Sequence, residues 1–154
     1  MDFKTIFTNE NNEDFIDLAK ELWDEYYENV GNTVDKYREV NNLEGEHFVI
    51  LIFDENSENN SPIACGSFKE FSPDTVEIKR VFVKKTYRNK GLATFIMKRL
   101  EKEAKNRSYN FSVLVTGTNN LPSQVFYKKL DYDTFEGFGF FKGDFDSISF
   151  KKEL

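Results

Sequence analysis

The stretch Val81-Phe82-Val83-Lys84-Lys85-Thr86-Tyr87-Arg88-Asn89-Lys90-Gly91-Leu92-Ala93 decides how this chain folds. Its first three residues are an apolar, largely β-branched run and predict a strand. A short basic loop with one glycine follows, and it becomes a helix near Gly91. Beyond the loop Leu92, Ile96, Leu100 and Ala104 recur at four-residue spacing, with Ala93 and Phe95 beside them, so the helix is amphipathic. The first N–H groups of a helix have no intrahelical partner, and the macrodipole adds partial positive charge. A strand entering a helix through a basic loop is therefore a ready anion site. Arg88 and Lys90 add full charges, and Gly91 lets the backbone approach a ligand without a Cβ in the way.

Composition sharpens the contrast between this loop and the rest. The chain has 154 residues, enough for one domain spanning 1–154 with a real core. Its 21 basic and 27 acidic side chains give a net charge of −6, which repels phosphate and argues against a nucleic-acid partner. The 17 Phe and 7 Tyr supply much of the core volume. A single cysteine, Cys65, has no partner for an internal disulfide and suits a reducing, cytoplasmic setting. The opening MDFKTIFTNE lacks a basic region followed by an apolar one, and no apolar run approaches the ~18 residues of a membrane span. A lone histidine, His47, and a lone cysteine offer no zinc cluster, so no metal is expected.

Reading outward, Phe3 to Phe7 alternates and predicts a first strand. Acidic and Asn residues from Asn9 to Asp14 precede Phe15, Leu18, Ala19, Leu22 and Tyr26, a helix reaching about Asn29 and ended by Gly31. A second, weaker helix is expected over Val34 to Asn41. Phe48 to Phe53 is a buried strand. Ile63 to Phe71 and Val76 to Val83, separated by Ser72-Pro73-Asp74-Thr75, predict an antiparallel hairpin. After the helix that follows the loop come a strand at Phe111 to Val115, a helix at Leu121 to Leu130, and two closing strands, Asp131 to Phe141 and Phe145 to Phe150. The order β-α-α-β-β-β-α-β-α-β-β implies an α/β fold with a mixed sheet and helices on both faces.

Three motifs together resemble the GNAT superfamily of N-acetyltransferases. Arg88 to Ala93 has the form R/Q-x-x-G-x-G/A. Asn120 to Tyr132, NLPSQVFYKKLDY, resembles the family segment N-x-x-A-x-x-F-Y-x-K-x-G-F, with Asp131-Tyr132 in place of Gly-Phe and Ser123 in place of the small Ala. Glu77 to Val83, EIKRVFV, resembles the E-x-K-R-x-x-V strand of small bacterial members. The likeness implies a GNAT-like fold whose central sheet splays near the basic loop, often with a bulge. The burial pattern slips parity between Lys79 and Val81, consistent with either a bulge or a strand buried on both faces.

The same resemblance implies acetyl-CoA as cosubstrate and a primary amine as acceptor, on a small molecule, a peptide N-terminus or a lysine. Arg88, Asn89, Lys90, Gly91, Leu92, Ala93 and Thr94 would cradle the pyrophosphate. Val81, Phe82 and Val83 would pair with the pantetheine arm as an added strand does. Glu77 would be the general base, working through water, and Tyr127 the general acid that returns a proton to the thiolate. Asn120 would bind the pantetheine or cap the following helix. The plainer readings are a solvent-facing glutamate at 77 and a tyrosine covering the sheet at 127. Trp23, Tyr26 and Tyr27 would line the acceptor cleft, or else Tyr26 is core and the others surface. The acidic net charge favours a cationic acceptor such as a polyamine. A non-catalytic coenzyme A sensor on the same fold is the alternative reading, and a general nucleotide binder a third. The aromatic-rich C-terminal strands leave a homodimer open.

Overall fold

A computed structural model describes residues 2–30 and 45–154. The expected helix at Val34 to Asn41 lies outside the described residues. The strands are β1 (Phe3–Thr8), β2 (Phe48–Asp54), β3 (Pro62–Ser72), β4 (Thr75–Val83), β5 (Phe111–Gly117), β6 (Asp133–Phe135) and β7 (Ser147–Glu153). The helices are α1 (Glu13–Val30), α2 (Leu92–Asn106) and α3 (Leu121–Lys129). The strands form one sheet in the order β1-β2-β3-β4-β5-β7-β6. Every neighbouring pair is antiparallel except β4 and β5. That parallel pair is joined through α2, as a βαβ crossover requires.

The apolar residues of β2, β3 and β4 divide between two faces. Phe15, Leu18 and Leu22 of α1 pack with Val49, Leu51, Phe53, Cys65 and Phe82 on one face. Ile96, Met97, Leu100 and Ala104 of α2 and Tyr127 of α3 pack with Ile50, Ile52, Ala64, Val76, Ile78 and Val83 on the other. Asn12 starts α1 by accepting the Phe15 N–H at 3.1 Å. α2 lies so close to β3 that a Cβ on Gly66 would sit 2.4 Å from Ile96 Cγ2. The absence of a side chain there sets the distance between helix and sheet.

Two features of the sheet shape the site. β4 carries a bulge: Cys65 faces Phe82 and Ser67 faces Lys79, so Gly66 is opposed by both Arg80 and Val81. Arg80 takes the left-handed conformation at φ +59°. This is the parity slip in the sequence, and it sends Val76 and Ile78 to one core and Phe82 to the other. The second feature is the splay. β4 pairs with β5 only at Thr75, Val76 and Glu77. From Ile78 onward the two strands part, and among the described residues no strand lies beside the β5-facing edge of β4.

The C-terminal region differs from the expectation. The strand expected at Asp131 to Phe141 is confined to Asp133–Phe135, and Gly139–Phe141 forms a short 3-10 turn. The cause is Gly137, at φ +112°, where a Cβ would come within 2.9 Å of Lys142 Cα and the Phe141 carbonyl. The chain folds back there so that Phe138 and Phe141 bury themselves against Val113. The last strand accordingly starts at Ser147 rather than Phe145, which is 93% exposed.

The link from α3 to β6 carries Asp131-Tyr132 where the resemblance noted above would place Gly-Phe. Asp131 adopts the left-handed turn at φ +70° that a glycine would favour. Tyr132 is fully buried, and its hydroxyl is satisfied by Ser112 Oγ at 2.8 Å and Glu101 Oε2 at 2.9 Å. Lys152 closes the network on Glu101 at 2.8 Å. Relieving the strained turn with Asp131→Gly is expected to stabilise the fold by about 0.5–1 kcal/mol, after the glycine's extra unfolded-state entropy is counted. Thermal unfolding checks this; a lowered Tm would mean the aspartate contributes more than its backbone costs.

Candidate active site

The parting of β4 and β5 opens a V whose walls are Ile78–Val83 and Leu114–Gly117. The basic loop closes one end of it. After Val83 the chain makes a 3-10 turn at Lys85–Tyr87, then takes left-handed conformations at Asn89 (φ +63°) and Gly91 (φ +82°) before α2 begins. Gly91 is the N-cap and supplies no side-chain oxygen. The first intrahelical bond shown is Phe95 N–H to the Gly91 carbonyl at 3.0 Å, leaving the N–H groups of Leu92, Ala93 and Thr94 at the head of the helix. Space around the missing Gly91 Cβ is open to 4 Å. Asn89, Lys90 and Gly91 are exposed.

The loop is tied down at both flanks. Tyr87 donates its hydroxyl to Asp54 Oδ2 at 2.8 Å, and that bond raises the tyrosine's pKa. Arg88 donates Nε to the Val83 carbonyl at 2.7 Å and Nη2 to Glu25 Oε2 at 2.8 Å, with its guanidinium over the Phe82 ring. The expected partner for that guanidinium was a phosphate; in the structure its contacts are protein ones, and they lock the loop to β4 and α1. Glu25, Tyr87 and Asp54 went unnoticed in the sequence. Glu25 lies 63 residues from Arg88, and local patterns carry no such pairing.

Glu77 stands where the V begins, the last residue of β4 still paired to β5. It is 6% exposed and therefore not the solvent-facing strand residue of the plainer reading. Its Oε2 lies 3.5 Å from the buried Lys79 ammonium. Burial pushes the Lys79 pKa down, and the neighbouring Glu77 carboxylate partly offsets this. Arg80 follows on the bulge, its guanidinium in electrostatic reach of Tyr26, Cys65 and Glu77. The Cys65 thiol donates to the Arg80 carbonyl at 3.2 Å, and burial raises its pKa to about 12. A neutral, enclosed thiol of this kind is a core group rather than a nucleophile.

Tyr127 lies on α3 and belongs to the core on the α2 side of the sheet. Its ring is buried among Phe126, Tyr132 and Phe150. Burial pushes its pKa well above the usual phenol value, with a smaller contribution from Tyr26, so the hydroxyl keeps its proton at neutral pH. Asn120 caps α3, its Oδ1 accepting the Ser123 N–H at 3.2 Å. Tyr26 is not core as the simpler reading had it. It is 38% exposed at the edge of α1, while crowding around its hydroxyl raises its pKa. A separate recess of about 260 Å³, lined by Phe7, Phe48 and Arg99, lies toward the β1–β2 edge and is no part of this opening.

A helix start with free N–H groups thus stands at one end of a V that opens just beyond a buried carboxylate. Comparison with known proteins gives the family. The model of the acetyltransferase (GNAT) family matches residues 15–132, and the chain belongs to that family. The fold is shared with an assigned acyl-CoA N-acyltransferase of Klebsiella pneumoniae, 20% identical, with a TM-score of 0.77 and coverage of 99% of this chain and 97% of that one. It is also shared with the PaiA N-acetyltransferase of Thermoplasma acidophilum in complex with coenzyme A, 16% identical, with a TM-score of 0.74 over 100% of both chains. A GNAT acetyltransferase of Elizabethkingia anophelis with acetyl-CoA bound is 20% identical, with a TM-score of 0.67 over 99% of this chain and 98% of that one. Among the described residues no helix is long and apolar enough to cross a membrane, and no cluster of metal-binding side chains occurs.

Proposed function

We propose that this protein transfers an acetyl group from acetyl-CoA directly to a primary amine. The observation that carries the proposal is the parting of β4 from β5 immediately after Glu77, along an edge that runs into the uncapped start of α2. An extended pantetheine arm fits against the free edge of Val81, Phe82 and Val83, with the pyrophosphate on the N–H groups at Gly91 to Thr94. That placement brings the thioester between Glu77 and Tyr127. The amine, losing a proton to Glu77 through water, attacks the thioester carbonyl carbon. The C–S bond then breaks, and the thiolate takes the Tyr127 proton. Coenzyme A-bound relatives of the same fold support the donor.

The experiment is a thermal shift with acetyl-CoA, followed by thiol release across a panel of primary amines. Acetyl-CoA is expected to stabilise the protein by about 3 kcal/mol at a hundredfold excess over Kd. ATP at the same concentration is expected to give a clearly smaller shift. Equal protection by ATP would point to a general nucleotide site. Binding of acetyl-CoA without turnover on any amine would favour a coenzyme A sensor.

A further inference from the structure

β4 places two cations, Lys79 and Arg80, beside one carboxylate, Glu77. Lys79 already lies 3.5 Å from that carboxylate. Arg80 is different. The residue as a whole is partly exposed, but buried nitrogen donors are ordinarily hydrogen-bonded. Among the described residues the Arg80 guanidinium makes no ion pair, and its Nε is fully buried with no hydrogen-bond acceptor. Nor is its position a casual one. Arg80 occupies the bulge in a left-handed conformation that a non-glycine residue adopts at a cost. Cys65 Sγ and Gly66 hold that bulge from β3. Bulges of this kind re-aim a side chain, and the charge here lies within electrostatic reach of Tyr26 and Glu77.

We propose that Arg80 binds a carboxylate on the acceptor, so that the substrates are amines that also carry an anionic group, as a free amino acid or a short peptide does. The inference rests on the acetyltransferase reading of the same site. A guanidinium is a planar fork that matches a carboxylate with two parallel hydrogen bonds. The part-buried setting strengthens such a contact, because water competes less than at an open surface. An α-amino acid carries amine and carboxylate on one carbon, so anchoring the carboxylate at Arg80 presents the amine toward Glu77 on the same strand. The local charge of Glu77, Lys79 and Arg80 sums to +1, opposite in sign to the whole chain at −6. A polyamine attracted by the overall field would meet two cations at the chemistry. The expectation of a cationic acceptor drawn from net charge is replaced by one drawn from the site.

The test is a binding measurement on the full-length protein saturated with coenzyme A. The probes are N-acetylglycine, N-acetylleucine, N-acetylglutamate and Nα-acetyllysine, each compared with its C-terminal amide by calorimetry. At least one carboxylate is expected to bind about 10- to 100-fold more tightly than its amide, the range for a charge-assisted contact. Arg80→Asn, chosen because Asn tolerates a left-handed backbone, is expected to remove that difference. Arg80→Lys, which keeps the charge and loses the fork, is expected to retain part of it and carries the test if Arg80→Asn unfolds. Acetyl-CoA affinity in both variants is expected within about twofold of the parent, well under the tenfold that 1.4 kcal/mol represents. No preference for carboxylate over amide, or a preference that survives loss of Arg80, overturns the proposal. So does a parallel fall in acetyl-CoA affinity, which would assign Arg80 to the donor. Acetyl-CoA binding without carboxylate discrimination leaves acetyl transfer standing, whereas absence of acetyl-CoA binding removes both.

Discussion

Glu77→Gln is expected to lower turnover with acetyl-CoA roughly 10²- to 10⁴-fold, the usual contribution of a positioned base, while leaving acetyl-CoA affinity unchanged. The carboxylate lies at the point where the V opens and is 6% exposed, so its replacement changes the enclosed chemistry rather than a surface charge. The substitution also takes the carboxylate from Lys79. Breaking a buried pair by removing one partner costs about 3–5 kcal/mol, so the single variant is expected to lose stability as well as activity. The double variant Glu77→Gln with Lys79→Met separates the two effects, because it removes the ammonium that had faced the lost carboxylate. Recovery of the thermal midpoint without recovery of turnover identifies Glu77 as a chemical group. A double variant that regains most of the activity would show that the glutamate serves only to hold Lys79. Steady-state thiol release and thermal unfolding on the same preparations decide between these outcomes.

Gly91→Val is expected to weaken acetyl-CoA binding by about 3 kcal/mol or more, at least a hundredfold in Kd, with a smaller effect on the fold. The backbone part of the argument is local. Gly91 sits at φ +82°, where an L-residue costs about 1–2 kcal/mol and a β-branched one is worse. The side-chain part depends on where the new atoms go. Among the described residues nothing beyond the adjoining chain lies within 4 Å of a Cβ at this position, so the valine meets no packed neighbour there and instead fills the space in front of the α2 N–H groups. Arg88→Ala is the useful comparison. Its guanidinium is held by the Val83 carbonyl and Glu25, so its loss loosens the loop and is expected to cost about 1–3 kcal/mol of acetyl-CoA affinity. Calorimetric titration of both variants checks the order; a weaker effect at Gly91 than at Arg88 would move the phosphate site away from the helix start.

Much of the fold was legible because periodicity is local. The four-residue stripe from Leu92 to Ala104 became the buried face of α2, and the alternations at Phe3, Ile63 and Val76 became strands within a residue or two of their expected ends. Even the bulge left a trace, since Val81 and Val83 read as buried out of phase with Val76 and Ile78. The C-terminal aromatic run was misread for the same reason in reverse. Phe135, Phe138, Phe140 and Phe141 look like strand residues one by one, but Gly137 turns the chain so that Phe138 and Phe141 pack back on Val113. Strand propensity is only a preference for a half-buried surface, and a folded loop offers that surface too. Tyr132 was read as a departure from a family pattern. Its reason is the hydroxyl's bonds to Ser112 and Glu101, partners 20 and 31 residues away.

What the sequence determined by itself was the run from Val81 to Ala93: strand, basic loop, glycine and helix start follow from side-chain type and spacing along one continuous segment. The tertiary structure alone decided what faces that segment. Only the parting of β4 from β5 creates an open edge beside Glu77, and only the bulge puts Arg80 in the left-handed turn opposite Gly66, within electrostatic reach of Glu77 and Tyr26. Only the approach of α1 gives Arg88 a carboxylate at Glu25. Spacing along a chain fixes periodicity and helix ends, whereas the pairing of charges in a cleft is set by how distant segments pack.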